Sequence, residues 1–448
     1  MTDISDTEVD RVARALGGAP RAAYTTPIVY PWAAQNFAAR PLIERPHPPT
    51  DHLRLYVHIP FCNYHCTFCF YAVRTGAKRR EMERYVAALA REMEWVASGT
   101  SLSRLIVGGG TPTALPADLL DRVLAAIFAR TPTAADHVNT LEASPDSLSE
   151  AHIRVLQTHG IGRVSIGIES MDDAVLDAVH RRHSPAQALA ACRMVADSGL
   201  SLNIDLIYGL PGQSADSFRR DLEAVADTGV RSLCLYALRL NEKTPVAAQL
   251  SADERLDLAH LMRWRAFVKR AAEEAGFTQT RSYTFKRVDS GMSWHERAAT
   301  WRADGIRHEF GIGMSARAQL GHSVYRNHER SDVYMLRVEQ GLSPVESVFE
   351  MDINDQKTQF VASSLGNGKP LVRAEYESTF GASIDGDFDE LLERLRGAEL
   401  IDDDNVRIVL TETGGLVYDF VLLCFYPERA ASWLRGRAAA PRQTGSTA

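Results

Sequence analysis

The chain has 448 residues, and its 50 basic and 57 acidic side chains leave a formal net charge of −7. Hydrophobic residues make up 45% of the sequence and the mean hydropathy is −0.19. These values exclude the disordered, collagen-like and coiled-coil classes. At about 150 residues per domain, the length allows up to about three domains, or one large α/β barrel with an appendage.

No apolar run approaches the roughly 18 residues of a membrane span. The amino terminus, MTDISDTEVD, lacks the basic and then apolar pattern of an export signal. We therefore expect a cytoplasmic protein that does not enter a membrane. The mild acidity and the lack of any lysine or arginine block also argue against nucleic acid as the main partner.

Residues 1–50 are rich in proline, which suppresses helix formation, and predict an extended arm lying over the body of the protein. Aromatic residues at Tyr24, Tyr30 and Trp32 give this arm surface to bury. The arm is either a packed tail or a lid over a site. Its prolines are Pro20, Pro27, Pro31, Pro41, Pro46, Pro48 and Pro49.

From residue 51 to 345, short apolar strands alternate with amphipathic helical stretches, such as those at 81–97 and 119–128. Repeated strand–helix units predict a parallel sheet with helices outside it. About six units fit, so we expect an α/β fold with a partial (β/α)6 TIM-like barrel and its chemistry at the carboxyl ends of the strands. The predicted strands are 54–59, 105–107, 138–142, 163–168, 202–207 and 232–237.

Residues 346–435 have a different character from the barrel. Helices are predicted around 358–365 and 388–397, followed by a strand at 406–410 and a final apolar helix. This order predicts a small, mainly helical, winged-helix-like C-terminal domain. The tail at 436–448 has the composition of a disordered segment.

Three of the six cysteines crowd into eight residues after the first predicted strand, as Cys62, Cys66 and Cys69. Three thiolates on one short loop can bind three irons of a cubane cluster and leave the fourth iron for a non-protein ligand. The alternative is structural zinc, for which His58 or His65 would have to be the fourth ligand. The absence of paired Cys-x2-Cys knuckles favours the iron–sulfur interpretation.

This cysteine spacing after a barrel strand resembles the radical S-adenosylmethionine (SAM) superfamily. Three further segments resemble motifs of its oxygen-independent coproporphyrinogen III oxidase subfamily: LYVHIPFC at 55–62, GGGTPT at 108–113 and NIDLIYGLPG at 203–212. The resemblance implies a [4Fe-4S] cluster that donates one electron to bound SAM. The products are methionine and a 5′-deoxyadenosyl radical, which abstracts a substrate hydrogen.

The resemblance also implies roles for residues near the cluster. Tyr56 matches a catalytic position beside the SAM sulfonium, although a strand aromatic in the core is the alternative. Phe68 matches a position that packs against adenine. The methionine amino group is expected at a glycine turn made of Gly108, Gly109, Gly110 and Thr111.

The strand ends carry the remaining residues that the resemblance assigns to SAM. Glu142 matches a carboxylate that contacts SAM at the reacting centre, and Glu169 stands where the oxidase has a ribose-binding glutamine. Arg181 has the spacing of an arginine that pairs with the methionine carboxylate, whereas the adjacent Arg182 is expected in solvent. Asp205 matches an acid that orients adenine or ribose, and Ala237 completes the cofactor-binding set.

The sequence departs from the family pattern at informative places. Coproporphyrinogen oxidases continue with Cys-Gly-Cys, whereas here Cys69 is followed by Phe70 and Tyr71. The heme chaperone branch has a His-Asn-x-x-Tyr-Trp motif before a Gly-Ile-Gly motif. This chain has only Gly-Ile-Gly, at 311–313. His295 and His308 are nevertheless candidates for the barrel mouth. The proline-rich arm matches neither branch.

These departures lead to one main hypothesis and two alternatives. The main hypothesis is a class C radical SAM methyltransferase or cyclopropanase, which lacks the fourth cysteine and transfers a methyl or methylene group from a second SAM to an sp² carbon. The alternatives are a porphyrin-directed radical enzyme and a heme-binding chaperone. The expected partners are an aromatic or porphyrin-like small molecule and a reductase such as flavodoxin or ferredoxin.

We predict that the anaerobically reconstituted protein binds about four irons and four sulfides through Cys62, Cys66 and Cys69. Replacement of all three cysteines by alanine removes the thiolate ligands, so the cluster absorption should disappear. Iron and sulfide analysis with visible absorption spectra checks this. A full cubane in the triple variant would contradict the assignment.

Overall fold

The fold is given by a computed structural model that describes residues 4–17, 40–41, 53–240, 244–250, 257–290 and 308–439. Its strands are β1 Arg40–Pro41, β2 Leu53–Ile59, β3 Phe61–Cys62, β4 Arg74–Thr75, β5 Leu102–Gly109, β6 Thr133–Ala143, β7 Arg163–Glu169, β8 Ser201–Tyr208, β9 Ser232–Ala237, β10 Phe277–Arg281, β11 Thr284–Arg287, β12 His308–Ile312, β13 Arg317–Leu320, β14 Ser323–Asn327, β15 Val345–Glu350, β16 Leu371–Val372, β17 Ile401–Asp403 and β18 Arg407–Leu410.

The helices surround the sheet and form most of the C-terminal region. They are α1 Asp6–Ala15, α2 Arg79–Met93, α3 Ala117–Arg130, α4 Glu150–Thr158, α5 Asp173–Ala178, α6 Pro185–Asp197, α7 Ala215–Ala226, α8 Val246–Gln249, α9 Leu258–Glu274, α10 Ser331–Glu339, α11 Ile353–Ser364, α12 Arg373–Phe380, α13 Ile384–Gly397, α14 Glu412–Leu416, α15 Tyr418–Cys424 and α16 Glu428–Ala439.

The central sheet has 13 strands in the order β1-β15-β14-β13-β12-β2-β5-β6-β7-β8-β9-β11-β10. The six predicted strands are β2 and β5 to β9, and they pair in parallel in chain order. In the described residues, β1 and β10 each pair on one side, so the sheet stays open. The predicted α/β fold with a partial TIM-like barrel is confirmed.

A seventh parallel strand, β12, pairs with β2. The sequence did not predict it, because five residues carry little periodic signal. Gly311 permits the pairing of β12 with its neighbours, since a Cβ there would lie 2.1 Å from the Arg317 carbonyl oxygen.

The sheet separates an apolar face from a polar one. Leu141, Val164 and Ile204 are fully buried in the hydrophobic core. The residues that alternate with these along each strand are polar. For example, Glu142 on β6 lies opposite Ser165 on the neighbouring strand β7. Because side chains alternate along a strand, the polar set faces the interior of the barrel.

Helix α2 fixes the carboxyl end of β2 against β12. Tyr85 donates a hydrogen bond to the His58 carbonyl oxygen (2.7 Å). Glu92 is 2% exposed, and a buried carboxylate is stable only when its oxygens are hydrogen-bonded. Its donors are the Gly313 N–H (2.8 Å), the Asn327 amide (2.9 Å) and the Tyr334 hydroxyl (2.6 Å).

The C-terminal region has the element order of a winged helix: α11, β16, α12, α13, β17 and β18. The three strands form a small sheet in the order β16-β18-β17, as the winged-helix-like prediction requires. A buried ion pair between Arg265 on α9 and Asp419 on α15 (2.5 Å) joins this region to the barrel. The large sheet reaches Glu350, a few residues past the predicted boundary at 345.

The expectation of an extended N-terminal arm is wrong for Asp6–Ala15, which is helical. The prolines begin only at Pro20, and the Ser5 side chain caps the helix by accepting a hydrogen bond from the Glu8 N–H (3.2 Å). Residues 18–39 and 42–52 lie outside the described residues. The choice between a packed tail and a lid concerns this segment and therefore stays a prediction. Helix α16 runs to Ala439, while 440–448 also lie outside.

Within the described ranges, no helix combines the length and the apolar character that crossing a membrane requires.

Candidate active site

The cysteine loop, residues 60–71, leaves the carboxyl end of β2 and carries the three predicted cluster ligands. Cys66 is 7% exposed, and Cys62 and Cys69 are half-buried. The loop is anchored on two sides at Thr67, whose N–H donates to the Val179 carbonyl and whose carbonyl accepts from the Val246 N–H (both 3.1 Å). The three thiols are therefore presented at one end of the barrel.

The donor set of this loop fits a cubane cluster. Across the described part of the chain, no three His, Cys, Asp or Glu side chains converge as ligands of a single metal ion. A cubane needs no such convergence, because each thiolate binds a different iron. His58, one proposed zinc ligand, makes contacts elsewhere: its ring nitrogens lie 3.2 Å from the Tyr56 hydroxyl and 3.3 Å from the Ala72 carbonyl oxygen.

Arg181 places a positive charge beside the thiols. Its Nη1 lies 3.6 Å from Cys66 Sγ, and its Nη2 lies 3.4 Å from the Glu169 carboxylate and donates to the Gly167 carbonyl. Burial raises the pKa of the Cys66 thiol, and Arg181 opposes this effect. Arg181 therefore favours the thiolate form, which is the form that binds iron.

The glycine turn packs directly against the cysteine loop. The Gly110 N–H donates to the Ile59 carbonyl (2.7 Å), and the Thr111 N–H donates to the Phe61 carbonyl (2.8 Å). A Cβ on Gly110 would lie 2.7 Å from the Pro60 carbonyl oxygen. The glycines are thus required by close backbone approach, and the Thr111 hydroxyl lies 3.5 Å from Cys62 Sγ.

Glu142 stands beside this turn at the end of β6. Its carboxylate accepts from the Gly109 N–H (3.3 Å), and a Cβ on Gly108 would lie 2.4 Å from it. The side chain is solvent-accessible, yet desolvation by the barrel walls and repulsion from Asp205 raise its pKa to about 7. Glu142 therefore lines an accessible cavity that is enclosed by protein.

Asp205 belongs to a polar network inside the barrel that the sequence did not predict. Its carboxylate accepts from the Ser165 hydroxyl (3.0 Å) and from the Asn203 amide (2.7 Å). Burial raises the pKa of Asp205, while Arg163 and these hydrogen bonds lower it. Asn203 lies on the same strand as Asp205, whereas Ser165 and Arg163 come from the neighbouring strand β7, so only the register of the sheet reveals those two.

Other groups that support the cysteine loop also escaped sequence analysis. Asp146, just after β6, accepts hydrogen bonds from the Asn63 amide (2.8 Å) and the Tyr64 hydroxyl (3.1 Å). The Tyr64 ring lies under both Arg181 and Arg182, at 6.0 and 5.8 Å from its centroid. These contacts span more than 80 residues, so local spacing contains no signal for them.

The remaining predicted residues occupy the same end of the barrel or its walls. The pKa of Tyr56 is raised by burial and by Glu142, which places its hydroxyl within the electrostatic reach of that carboxylate. Phe68 and Ala237 pack partly against the hydrophobic core. Their assignments to adenine and to the cofactor site stay predictions. His295 lies outside the described residues, as does the side chain of His308.

Comparison with known proteins shows which proteins this chain resembles. Residues 56–225 match the family model described as the Radical SAM superfamily. The heme chaperone HemW of Mycobacterium tuberculosis is 27% identical over 400 residues, which cover 84% of this chain and 95% of that protein. An oxygen-independent coproporphyrinogen III oxidase of Cereibacter sphaeroides is 29% identical over 315 residues, covering 66% and 68%.

A solved structure has the same fold. Coproporphyrinogen III oxidase (HemN) from Escherichia coli superposes with a TM-score of 0.73 at 24% identity, covering 85% of this chain and 91% of that one.

We predict that Arg181→Ala weakens SAM binding far more than Arg182→Ala. The Arg181 side chain is 10% exposed and paired, and loss of a buried charge pair costs about 2–5 kcal/mol. Arg182 is exposed, so its loss should cost less than about 1 kcal/mol. Calorimetric titration of both reconstituted variants measures this difference. Equal affinities would reject the assignment of Arg181 to SAM.

We also predict that Glu142 makes SAM affinity depend on pH. Because its pKa is raised to about 7, the carboxylate is mostly protonated at pH 6 and becomes charged as the pH rises. If it pairs with the SAM ammonium, affinity should increase by roughly five- to tenfold between pH 6 and 7.5. Glu142→Gln should lose this increase.

The comparison with Glu142→Gln is needed because burial raises the pKa of Glu169 to about 7 as well. Only the difference between the two pH profiles belongs to Glu142. Parallel profiles for the wild type and Glu142→Gln would show that another group is responsible.

Proposed function

We propose that this chain, which carries a radical SAM domain in residues 56–225, acts on a porphyrin-type tetrapyrrole. The observation that carries the proposal is the convergence of the cysteine loop, Arg181, the glycine turn and Glu142 at one end of the barrel. Relatives named for coproporphyrinogen and for heme support the substrate class.

The cofactors of this domain are a [4Fe-4S] cluster and SAM, which together supply a 5′-deoxyadenosyl radical for hydrogen abstraction. The chain's own groups bind and orient them. Cys62, Cys66 and Cys69 provide the thiolates, and Arg181 provides a cation for the SAM carboxylate. Glu142, with a pKa of about 7, can accept a hydrogen bond from an ammonium group in its charged form.

The barrel mouth also has the surroundings that radical chemistry requires. Glu169 is 9% exposed and the Arg181 side chain is 10% exposed, and desolvation raises the pKa of Glu142 and Glu169 to about 7. Poor solvation limits the access of water to a reactive intermediate. Arg181, held by Glu169, keeps a compensating charge beside Cys66.

The porphyrin-directed alternative explains the comparisons better than the class C hypothesis does. Methyl or methylene transfer was inferred mainly from the residues after Cys69, where Phe70 and Tyr71 replace the oxidase pattern. The relatives reported above, which align with most of this chain, are named for heme and for coproporphyrinogen rather than for methyl transfer. Abstraction of a hydrogen from a tetrapyrrole side chain is therefore our leading proposal.

A heme carrier is the second candidate, and one observation favours it. The heme chaperone aligns with 95% of its own length, whereas the oxidase aligns with 68%. A carrier needs a heme site but no consumption of SAM. Formation of 5′-deoxyadenosine therefore separates the two functions.

The deciding experiment uses reconstituted protein, anaerobic conditions, dithionite and SAM labelled at its methyl group. Coproporphyrinogen III and heme are supplied in separate incubations. We expect a tetrapyrrole to stimulate 5′-deoxyadenosine formation and to be modified without acquiring label. Label in the product would support methyl transfer instead, and stoichiometric heme binding without deoxyadenosine would support the carrier.

The triple cysteine-to-alanine variant is the control for this experiment, because it lacks the cluster ligands while keeping the rest of the barrel. Flavodoxin or ferredoxin as the physiological electron donor stays a prediction. Replacement of dithionite by each reduced protein in the same assay tests it.

A further inference from the structure

The end of the cysteine loop carries a stacked aromatic pair. The rings of Phe70 and Tyr71 stack with their centroids 4.8 Å apart and an interplanar angle of 27°. Tyr71 is 55% exposed, which is more than any other Phe, Tyr or Trp side chain in the described ranges. Together the two rings offer a flat apolar surface on which a planar aromatic ligand can stack.

Tyr71 lies at the end of the barrel that carries the cluster ligands. It follows Cys69 by two residues, directly after a turn in which the Cys69 N–H donates to the Cys66 carbonyl (3.1 Å). An exposed, stacked aromatic surface therefore adjoins the three thiols.

Cations and further aromatic residues lie at the same end of the barrel. Arg239 follows the carboxyl end of β9, and Arg317 begins β13 just after the carboxyl end of β12. Tyr236 and Tyr283 form a second aromatic pair, with centroids 5.0 Å apart, and Tyr283 also acts on Tyr71. A flat aromatic ligand with acidic side groups matches this combination, since rings stack on rings and carboxylates pair with guanidinium groups.

We propose that Phe70 and Tyr71 form the stacking platform for the plane of the tetrapyrrole and so help determine substrate specificity. The inference rests on the function proposed above and names the residues that recognise its substrate. The platform immediately follows Cys69, so a ring stacked on it lies next to the cluster. Such a position brings the side groups of the macrocycle near the SAM that binds there.

The test measures equilibrium binding of coproporphyrin III, a planar tetrapyrrole with four carboxylates, to the full cluster-loaded chain. Its fluorescence and visible absorption report binding without turnover. Tyr71→Ala should weaken binding by about tenfold, because the stacked ring is lost. Tyr71→Phe, which keeps the ring, should bind within about twofold of the wild type.

Two controls make the result specific. Leu336→Ala removes an exposed apolar side chain (48% exposed) from α10, outside the cavity, and should leave the affinity unchanged. Tyr71→Leu keeps apolar bulk without an aromatic ring, so it separates stacking from simple burial. Iron content and SAM affinity are measured for each variant, and Tyr71→Leu replaces Tyr71→Ala in the comparison if the alanine variant loses its cluster.

The outcomes separate this inference from the function on which it rests. If the wild type binds no tetrapyrrole, the proposed function fails. If the wild type binds but Tyr71→Ala or Tyr71→Leu binds equally well, the function survives and the platform is rejected. A loss in Tyr71→Phe as large as in Tyr71→Ala would assign the effect to the hydroxyl and would also overturn stacking. If Tyr71→Ala loses electron transfer from reduced flavodoxin but keeps its affinity for the porphyrin, the platform is rejected. Phe70 and Tyr71 would then form a docking site for the reductase instead.

Discussion

The site depends on two backbone hydrogen bonds that join the glycine turn to the last residue of β2 and to the start of the cysteine loop. The Gly110 N–H binds the Ile59 carbonyl, and the Thr111 N–H binds the Phe61 carbonyl. This approach is possible because Gly110 has no side chain, as a Cβ there would lie 2.7 Å from the Pro60 carbonyl oxygen. These two bonds fix the first residues of the cysteine loop, at the end of β2, against the glycine turn at the end of the parallel strand β5.

The same close packing arranges the charges around the thiols. Glu142 reaches the Gly109 N–H because Gly108 leaves room for its carboxylate, and Arg181 approaches Cys66 from the segment after β7. Desolvation raises the pKa of carboxylates in the barrel mouth, and each has a compensating partner, such as Arg163 for Asp205. The protein thus maintains polar groups in a poorly solvated cavity, as chemistry with a reactive radical requires.

The residues after Cys69 illustrate how a missing ligand can mislead. In the sequence, the absence of a fourth cysteine favours the methyl-transfer hypothesis. However, three thiolates are enough to leave one iron of the cluster open. The presence or absence of a fourth cysteine therefore does not determine the reaction. Phe70 and Tyr71 contribute something different at that position, namely a stacked aromatic surface beside the cysteines. A shared fold does not establish a shared reaction, and the substrate must be inferred from such local groups.

The sequence by itself determined the six parallel strands, the winged-helix-like order of elements, the group of three neighbouring cysteines and the glycine turn. These features are local: strand periodicity, cysteine spacing and consecutive glycines are all written within a few residues. Tertiary structure decided the seventh strand β12 and the pairing of Asp205 with Ser165 on the neighbouring strand. It also decided that Phe70 and Tyr71 stack on each other and that the Tyr71 ring is exposed. These features depend on contacts between distant segments and on burial, which change the energy of a polar or aromatic group without leaving a pattern in the neighbouring sequence.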